Sequence, residues 1–178
     1  MFKYFFLAFA FLFVGCSEPE PQKTSSESKK LSILLEGALK TAPYAKNMQQ
    51  ESIKLSKDIF TYTQKLRQKF KRTSSPLYHN FLVNVNLKEK GLCYHWSDAL
   101  YLHLNAQQYT HFKFHLVGAN IGKYWSEHNA LVITGKKDQI QKGILIDPWR
   151  NLHSLYFGEI HKDKAYQWTH RATRGCLR

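Results

Sequence analysis

The apolar residues of this chain change their period once, and that change limits the fold more than any other feature. Leu55, Ile59, Tyr62, Leu66 and Phe70 recur at spacings of three and four, with Lys and Gln between them. This is the stripe of an amphipathic helix. "LSILLEGALKTA" before it reads as a shorter helix that ends ahead of Pro43, and "KRTSSP" ends the longer one. In "KGLCYHWSDALYLHL", Trp96, Leu100 and Leu104 again recur every four residues, with Cys93 at the start of the pattern. Beyond residue 110 the period becomes two. In "THFKFHLVG", Phe112, Phe114 and Leu116 alternate with polar or basic neighbours, the mark of a strand with one buried face. "NALVIT" and "GILID" are two more short β-branched runs joined by the polar loop "GKKDQIQK", a hairpin pattern, and "HSLYFGEI" adds an edge strand. Helices first and an antiparallel sheet afterwards define the class α+β.

The ends of the chain belong to a different argument. "MFKYFFLAFAFLFVG" carries one charge, Lys3, before an apolar run from Tyr4 to Val14. That run falls short of the roughly 20 residues a membrane span needs but suits a secretory signal. "FVGCSEPEPQ" resembles the cleavage region of a bacterial lipoprotein, which implies a signal peptide at 1–15 and a lipid on Cys16. Phe13 stands where Leu is usual. Ser17 implies the outer membrane, facing the periplasm, in a host with two membranes. "SEPEPQKTSSESKK" has no large apolar residue, so 16–30 reads as a lipidated, disordered tether. The remaining 31–178 is expected to form one domain, with a helical extension over 31–75 and a core over 76–178.

The net charge is +13. The basic residues are spread along the chain without a nucleic-acid motif, so no nucleic acid is expected as a partner. For an exported chain, anionic envelope polymers or lipid headgroups fit better. A merely solvated Lys-rich surface fits equally well.

The chemistry begins with the hairpin. If its midpoint falls between Lys137 and Asp138, Leu131 faces Ile144, Ala130 faces Leu145 and His128 faces Asp147. Directly opposed side chains share a face with Cβ atoms about 4.5–5.5 Å apart, close enough for an imidazole–carboxylate hydrogen bond. Cys93 at a helix N-terminus sits among free N–H groups and a partial positive charge, which favour an anionic sulfur and offer an oxyanion site. Cys93, His128 and Asp147 then form a nucleophile, its base and an orienting acid.

"GLCYHWSDAL", "EHNALVIT" and "ILIDPW", in that order, resemble the core of the transglutaminase-like superfamily over roughly Lys88 to Trp149. The resemblance implies a papain-like arrangement, a nucleophile-bearing helix packed on an antiparallel sheet. It carries the nucleophile to Cys93, the base to His128 and the acid to Asp147. The Asp147–Pro148 pair and the Gly before the cysteine also match. Asn129–Ala130 departs from the Ala-Trp pair of many members. The implied reaction is acyl transfer at an amide, on a peptide, protein or peptidoglycan-type substrate, by hydrolysis or by cross-linking to an amine.

Other readings of the same residues stay open. Cys93 and Cys176 are the two thiols left once Cys16 is lipidated, and a structural disulfide between them would make a binding or scaffolding lipoprotein. A buried, inert Cys93 is a third possibility. His95 lies about 200° around the helix from Cys93, so it reads as a boundary residue or substrate contact and not as the base. Trp96, Trp125 and Trp149 flank the three candidates and are expected either to line a substrate groove or to pack. His111 and His115 lack any metal-ligand spacing. No metal and no cofactor are expected. The residues identify no second oxyanion donor, and a side chain between Tyr78 and Asn86 is the place for one.

Overall fold

The computed structural model describes residues 21–39, 46–71, 76–123, 126–151 and 153–175. The signal-peptide region, Cys16, Trp125 and Cys176 lie outside these residues. Four helices precede a five-stranded sheet: α1 (Pro21–Ala38), α2 (Lys46–Phe70), α3 (Pro76–Asn84), α4 (Cys93–Ala106), then β1 (Phe112–Ala119), β2 (His128–Gly135), β3 (Ile144–Asp147), β4 (Tyr156–Glu159) and β5 (Thr169–His170). The sheet order is β4-β3-β2-β1-β5, and every pairing is antiparallel. The chain is therefore α+β. Among the described residues no helix is long and apolar enough to cross a membrane.

The period-two pattern of the strands divides the buried side chains between two faces. Leu116, Leu131, Ile133, Ile144 and Ile146 meet Leu100 and Leu104 of α4, with Leu31, Leu35, Leu55 and Ile59 of α1 and α2 completing that core. Val117, Ala130, Val132 and Leu145 form the opposite face, under Ile160 and against Tyr156 and Trp168. β2 is buried along its whole length, as the central strand of a sheet covered on both sides must be. The leading helices thus complete the sheet's core.

Two features differ from the sequence reading. Residues 21–30, read as tether, are the first turns of α1. Ser28 and Ser56 share a 2.8 Å hydroxyl contact, Ser56 also hydrogen-bonds the Ser28 carbonyl, and Ser52 and Ser56 are fully buried. Small hydroxyl side chains let two helices approach closely and satisfy one another, so a segment poor in apolar residues still packs. The hairpin register also differs. Leu131 pairs with Ile146, Val132 with Leu145 and Ile133 with Ile144, so the register is displaced by two residues from the expected one. The connection is asymmetric, because a 3₁₀ turn at Ile140–Lys142 occupies its second half. A displacement of two keeps every side chain on its face, whereas a slip of one would have exchanged the faces.

One histidine of the sheet sets an acid limit on stability. His115 contacts the Thr134 hydroxyl at 3.0 Å. Burial, then the charges of Lys113 and His170, push its pKa down from 6.5 to about 4. Its folded value lies below its unfolded one, so the unfolded chain binds a proton first as the pH falls. The stability contributed at neutral pH is expected to decline from about pH 6.5 down through pH 4. His115→Gln should flatten that part of a urea-midpoint curve. An unchanged slope would remove this residue from the explanation.

Candidate active site

The approach to Cys93 is built by a glycine that few other residues could replace. Gly91 has φ +124°, and a Cβ there would lie 2.1 Å from Nε2 of His79. His79 is fully buried on α3 and contacts the Lys90 carbonyl at 3.0 Å. Trp96 donates its indole N–H to the Gly91 carbonyl at 3.0 Å. The chain then enters α4 with Leu92 as N-cap and Cys93 as first helical residue. Leu92 has no polar side chain to cap the helix. His95 does the work from inside, its Nδ1 accepting the Gly91 and Leu92 N–H groups at 3.1 Å each. His95 was read as a boundary or substrate residue; it fixes the turn that presents the sulfur.

Cys93 is a free thiol, buried to 5 % exposure, in a cluster with Leu66, Phe70, Trp96 and Trp149. The start of β2 lies against it. The Asn129 side-chain amide is 3.6 Å from the sulfur, and the sulfur is 3.9 Å from the Glu127 carbonyl oxygen. His128 is the first residue of β2, and its Nε2 is 2.6 Å from Asp147 Oδ2 at the end of β3. Both groups are almost completely buried. In the observed register His128 and Asp147 are diagonal neighbours, since pairing by one places Ala130 opposite Asp147. The longer diagonal is bridged by the imidazole itself.

Burial alone would push His128 down. The hydrogen bond to Asp147, its charge and the proximity of the Cys93 sulfur outweigh it and raise the pKa from 6.5 to about 9. Its Nδ1 is buried, with no hydrogen-bond partner among the described residues. Nε2 is committed to Asp147, so Nδ1 is the nitrogen available to exchange a proton with the sulfur.

Asp147 is itself held from behind. Its Oδ1 accepts the Trp149 and Arg150 backbone N–H groups at 3.2 and 3.1 Å, an Asx turn over Pro148. Its Oδ2 also accepts Arg150 Nε at 3.0 Å. The other two Arg150 nitrogens grip Asp163 at 3.2 and 2.6 Å, and Trp168 donates to Asp163 at 2.8 Å. Burial works against the Asp163 anion, but hydrogen bonds from Arg150, Trp168 and the Ala165 amide hold its carboxyl below the usual range. The Trp149, Tyr166 and Trp168 rings stand 4.7, 4.6 and 5.3 Å from the His128 ring. This shell keeps water from the imidazole–carboxylate bond and fixes the ring plane.

The three candidates from separate segments are thus brought together, and the tryptophans are not equivalent. Trp96 is fully buried and edge-on to Phe70 at 4.9 Å. It is core, with no surface to offer a substrate. Trp149 is buried between the Cys93 cluster and the His128 ring. Asn129, Arg150, Asp163, Tyr166 and Trp168 carry no motif or period that marks them as site residues in the sequence. Asn129 was noted only for departing from a family pattern, and that departure is where a polar donor meets the sulfur. Among the described residues no group of three or more His, Cys, Asp or Glu side chains could hold a metal ion. Comparison with protein-family models, with curated proteins and with solved structures finds no match.

Proposed function

We propose that this chain is a thiol acyltransferase of the papain-like, transglutaminase-like kind, acting on an amide and most readily hydrolysing it. One observation carries the reading: a free cysteine at a helix start contacts Glu127 and Asn129 on either side of His128, whose buried imidazole is held by Asp147 at 2.6 Å. Buried His–Asp pairs also occur as structure. The sulfur's contacts on both sides of His128, and a buried Nδ1 without a hydrogen-bond partner among the described residues, favour chemistry over packing.

In the proposed reaction the Cys93 sulfur attacks the substrate carbonyl carbon, and its proton resides on His128 Nδ1. The tetrahedral oxyanion lies near the α4 N-terminus, where the Asn129 amide is the nearest side-chain donor. As the C–N bond breaks, Nδ1 gives its proton to the departing amine and a thioester remains. Water, or a second amine in a cross-linking reaction, then attacks the thioester and returns a proton to Nδ1, and the C–S bond breaks. Asp147 stays ionised throughout and holds the ring by Nε2. A His128 pKa of about 9 keeps the general acid charged through the neutral range.

Peptide, protein or peptidoglycan-type amides are the proposed substrates. A lipid on Cys16 would hold the enzyme in the bacterial envelope, at the outer membrane facing the periplasm in a two-membrane host. Iodoacetamide labelling read by peptide mass tests the site. Cys93 is expected to alkylate about tenfold faster than Cys176 or more, with the difference lost in His128→Ala. Equal, slow labelling of both thiols, or a Cys93–Cys176 bridge in protein purified without reductant, would favour a non-catalytic scaffold.

A further inference from the structure

The helix that leads into the thiol site turns its apolar face outward. Leu77, Tyr78, Phe81, Val85 and Leu87 are 72, 55, 55, 44 and 71 % exposed. Leu77 and Phe81 are spaced four apart along one side of α3, and Val85, whose N–H bonds the Phe81 carbonyl, continues that side just past the helix end, followed by Leu87. Tyr78 and Phe81 rings lie 6.3 Å apart on the same patch. Among the described residues the other large exposed apolar side chains are Ile33 and Ile53, which line one groove between α1 and α2, and Leu102 on α4. α3 contains no charged side chain. Its opposite side is anchored, since buried His79 contacts the Lys90 carbonyl. The helix therefore cannot bury its outer face by rolling over.

Charge surrounds this patch on one side. Lys88 reaches back to the Lys71 carbonyl at 2.6 Å, which draws the end of α2 and the segment after α3 together. Lys69, Lys71 and Lys90 are exposed there, with Glu89 the one acid between Lys88 and Lys90. A rigid surface of Leu, Phe and Tyr rimmed by lysines is the pattern of a peripheral membrane contact. The apolar side chains enter the headgroup–acyl boundary while ammonium groups meet lipid phosphates. An apolar protein partner would gain nothing from that rim, and a solvated face would not carry five large apolar side chains in one patch.

We propose that α3 and the turn through Leu87 dock on an anionic lipid bilayer and seat the Cys93 site at the membrane surface. Gly91 and Cys93 follow the docked segment directly, so amides displayed close to the bilayer would be within reach. The docking does not depend on the thiol chemistry and should persist in Cys93→Ala.

Hydrogen exchange of the full chain, with phosphatidylglycerol vesicles, with phosphatidylcholine vesicles and without lipid, tests this. Exchange over residues 77–87 is expected to slow about fivefold or more on phosphatidylglycerol, with little change on phosphatidylcholine. The β2–β3 connection at 136–142 serves as the unprotected control. The triple variant Leu77→Glu, Phe81→Glu, Leu87→Glu should lose the protection while its lipid-free exchange elsewhere matches the parent. The proposal is overturned by unchanged exchange at 77–87, by equal slowing along the whole chain, or by equal slowing on both lipids. Concentration-dependent protection without vesicles would overturn it as well, because a second copy of the chain would then cover the patch.

Discussion

Replacing Asp147 with alanine is expected to destabilise the fold by about 3–5 kcal/mol and to abolish the selective reactivity of Cys93. Asp147 is completely buried and serves four donors: His128 Nε2, Arg150 Nε and two backbone N–H groups. Its removal strands a guanidinium and a protonated imidazole in a low-dielectric site. Asp163 retains its grip on Arg150, which keeps the loss from being larger. Asp147→Asn separates the two effects. The amide oxygen can still close the Asx turn, so most of the fold should survive. The charge that holds the imidazolium is gone, and the rate of the proposed acyl transfer is expected to drop about 10⁴-fold. Urea unfolding at neutral pH and turnover of the refolded variants measure the two losses. An Asp147→Asn protein with parental turnover would show that the pair is only structural.

The second large effect is expected at the sulfur. Cys93→Ala should lower the release of new amine termini from a mixed peptide library by about 10⁴-fold or more, because no covalent intermediate can form. The fold should change little, since only one sulfur is removed from a site walled by Leu66, Phe70, Trp96 and Trp149. Stability within about 1 kcal/mol of the parent is the expected control. Undiminished turnover in Cys93→Ala would assign any activity to other residues.

His128 adds a pH signature to both experiments. Its folded pKa, about 9, lies above the unfolded value near 6.5. Its stabilising contribution is therefore complete below about pH 6.5 and is lost as the pH rises through 9. The shift corresponds to about 3 kcal/mol at most. The His115 contribution runs the other way and fades in acid. Together they set a stability maximum in the near-neutral range.

The elements legible in the sequence were those defined by local repetition. The stripe from Leu55 to Phe70 and the alternation from Phe112 to Leu116 require no knowledge of distant residues, because a helix or a half-buried strand imposes its period on its own side chains. α3 was not legible as a helix. Its apolar residues face outward, and the buried position it supplies is a histidine. The beginning of α1 was missed for a related reason. Ser28 is buried by hydrogen bonding to Ser56, 28 positions away, a partner that composition does not reveal.

The candidate site divides the same way. Cys93 at a helix start and the face shared by His128 and Asp147 follow from period and parity. Parity survives a displacement of two, which is why an inexact register still brought the right pair together. The support around that pair was invisible. Arg150 reaches Asp163, Trp168 closes on Asp163, and Tyr166 covers His128, all through an irregular segment with no period to read.

Local patterning alone was enough to give the class of the fold, helices before an antiparallel sheet, and the side of the hairpin that carries the histidine and the aspartate. These depend on hydrophobic spacing within a dozen residues. Only the tertiary structure decided the pairing register, the capping role of His95, the burial of Trp96 and the outward face of α3. Those outcomes depend on which distant surfaces compete for each side chain, and that competition is resolved only when the whole chain packs.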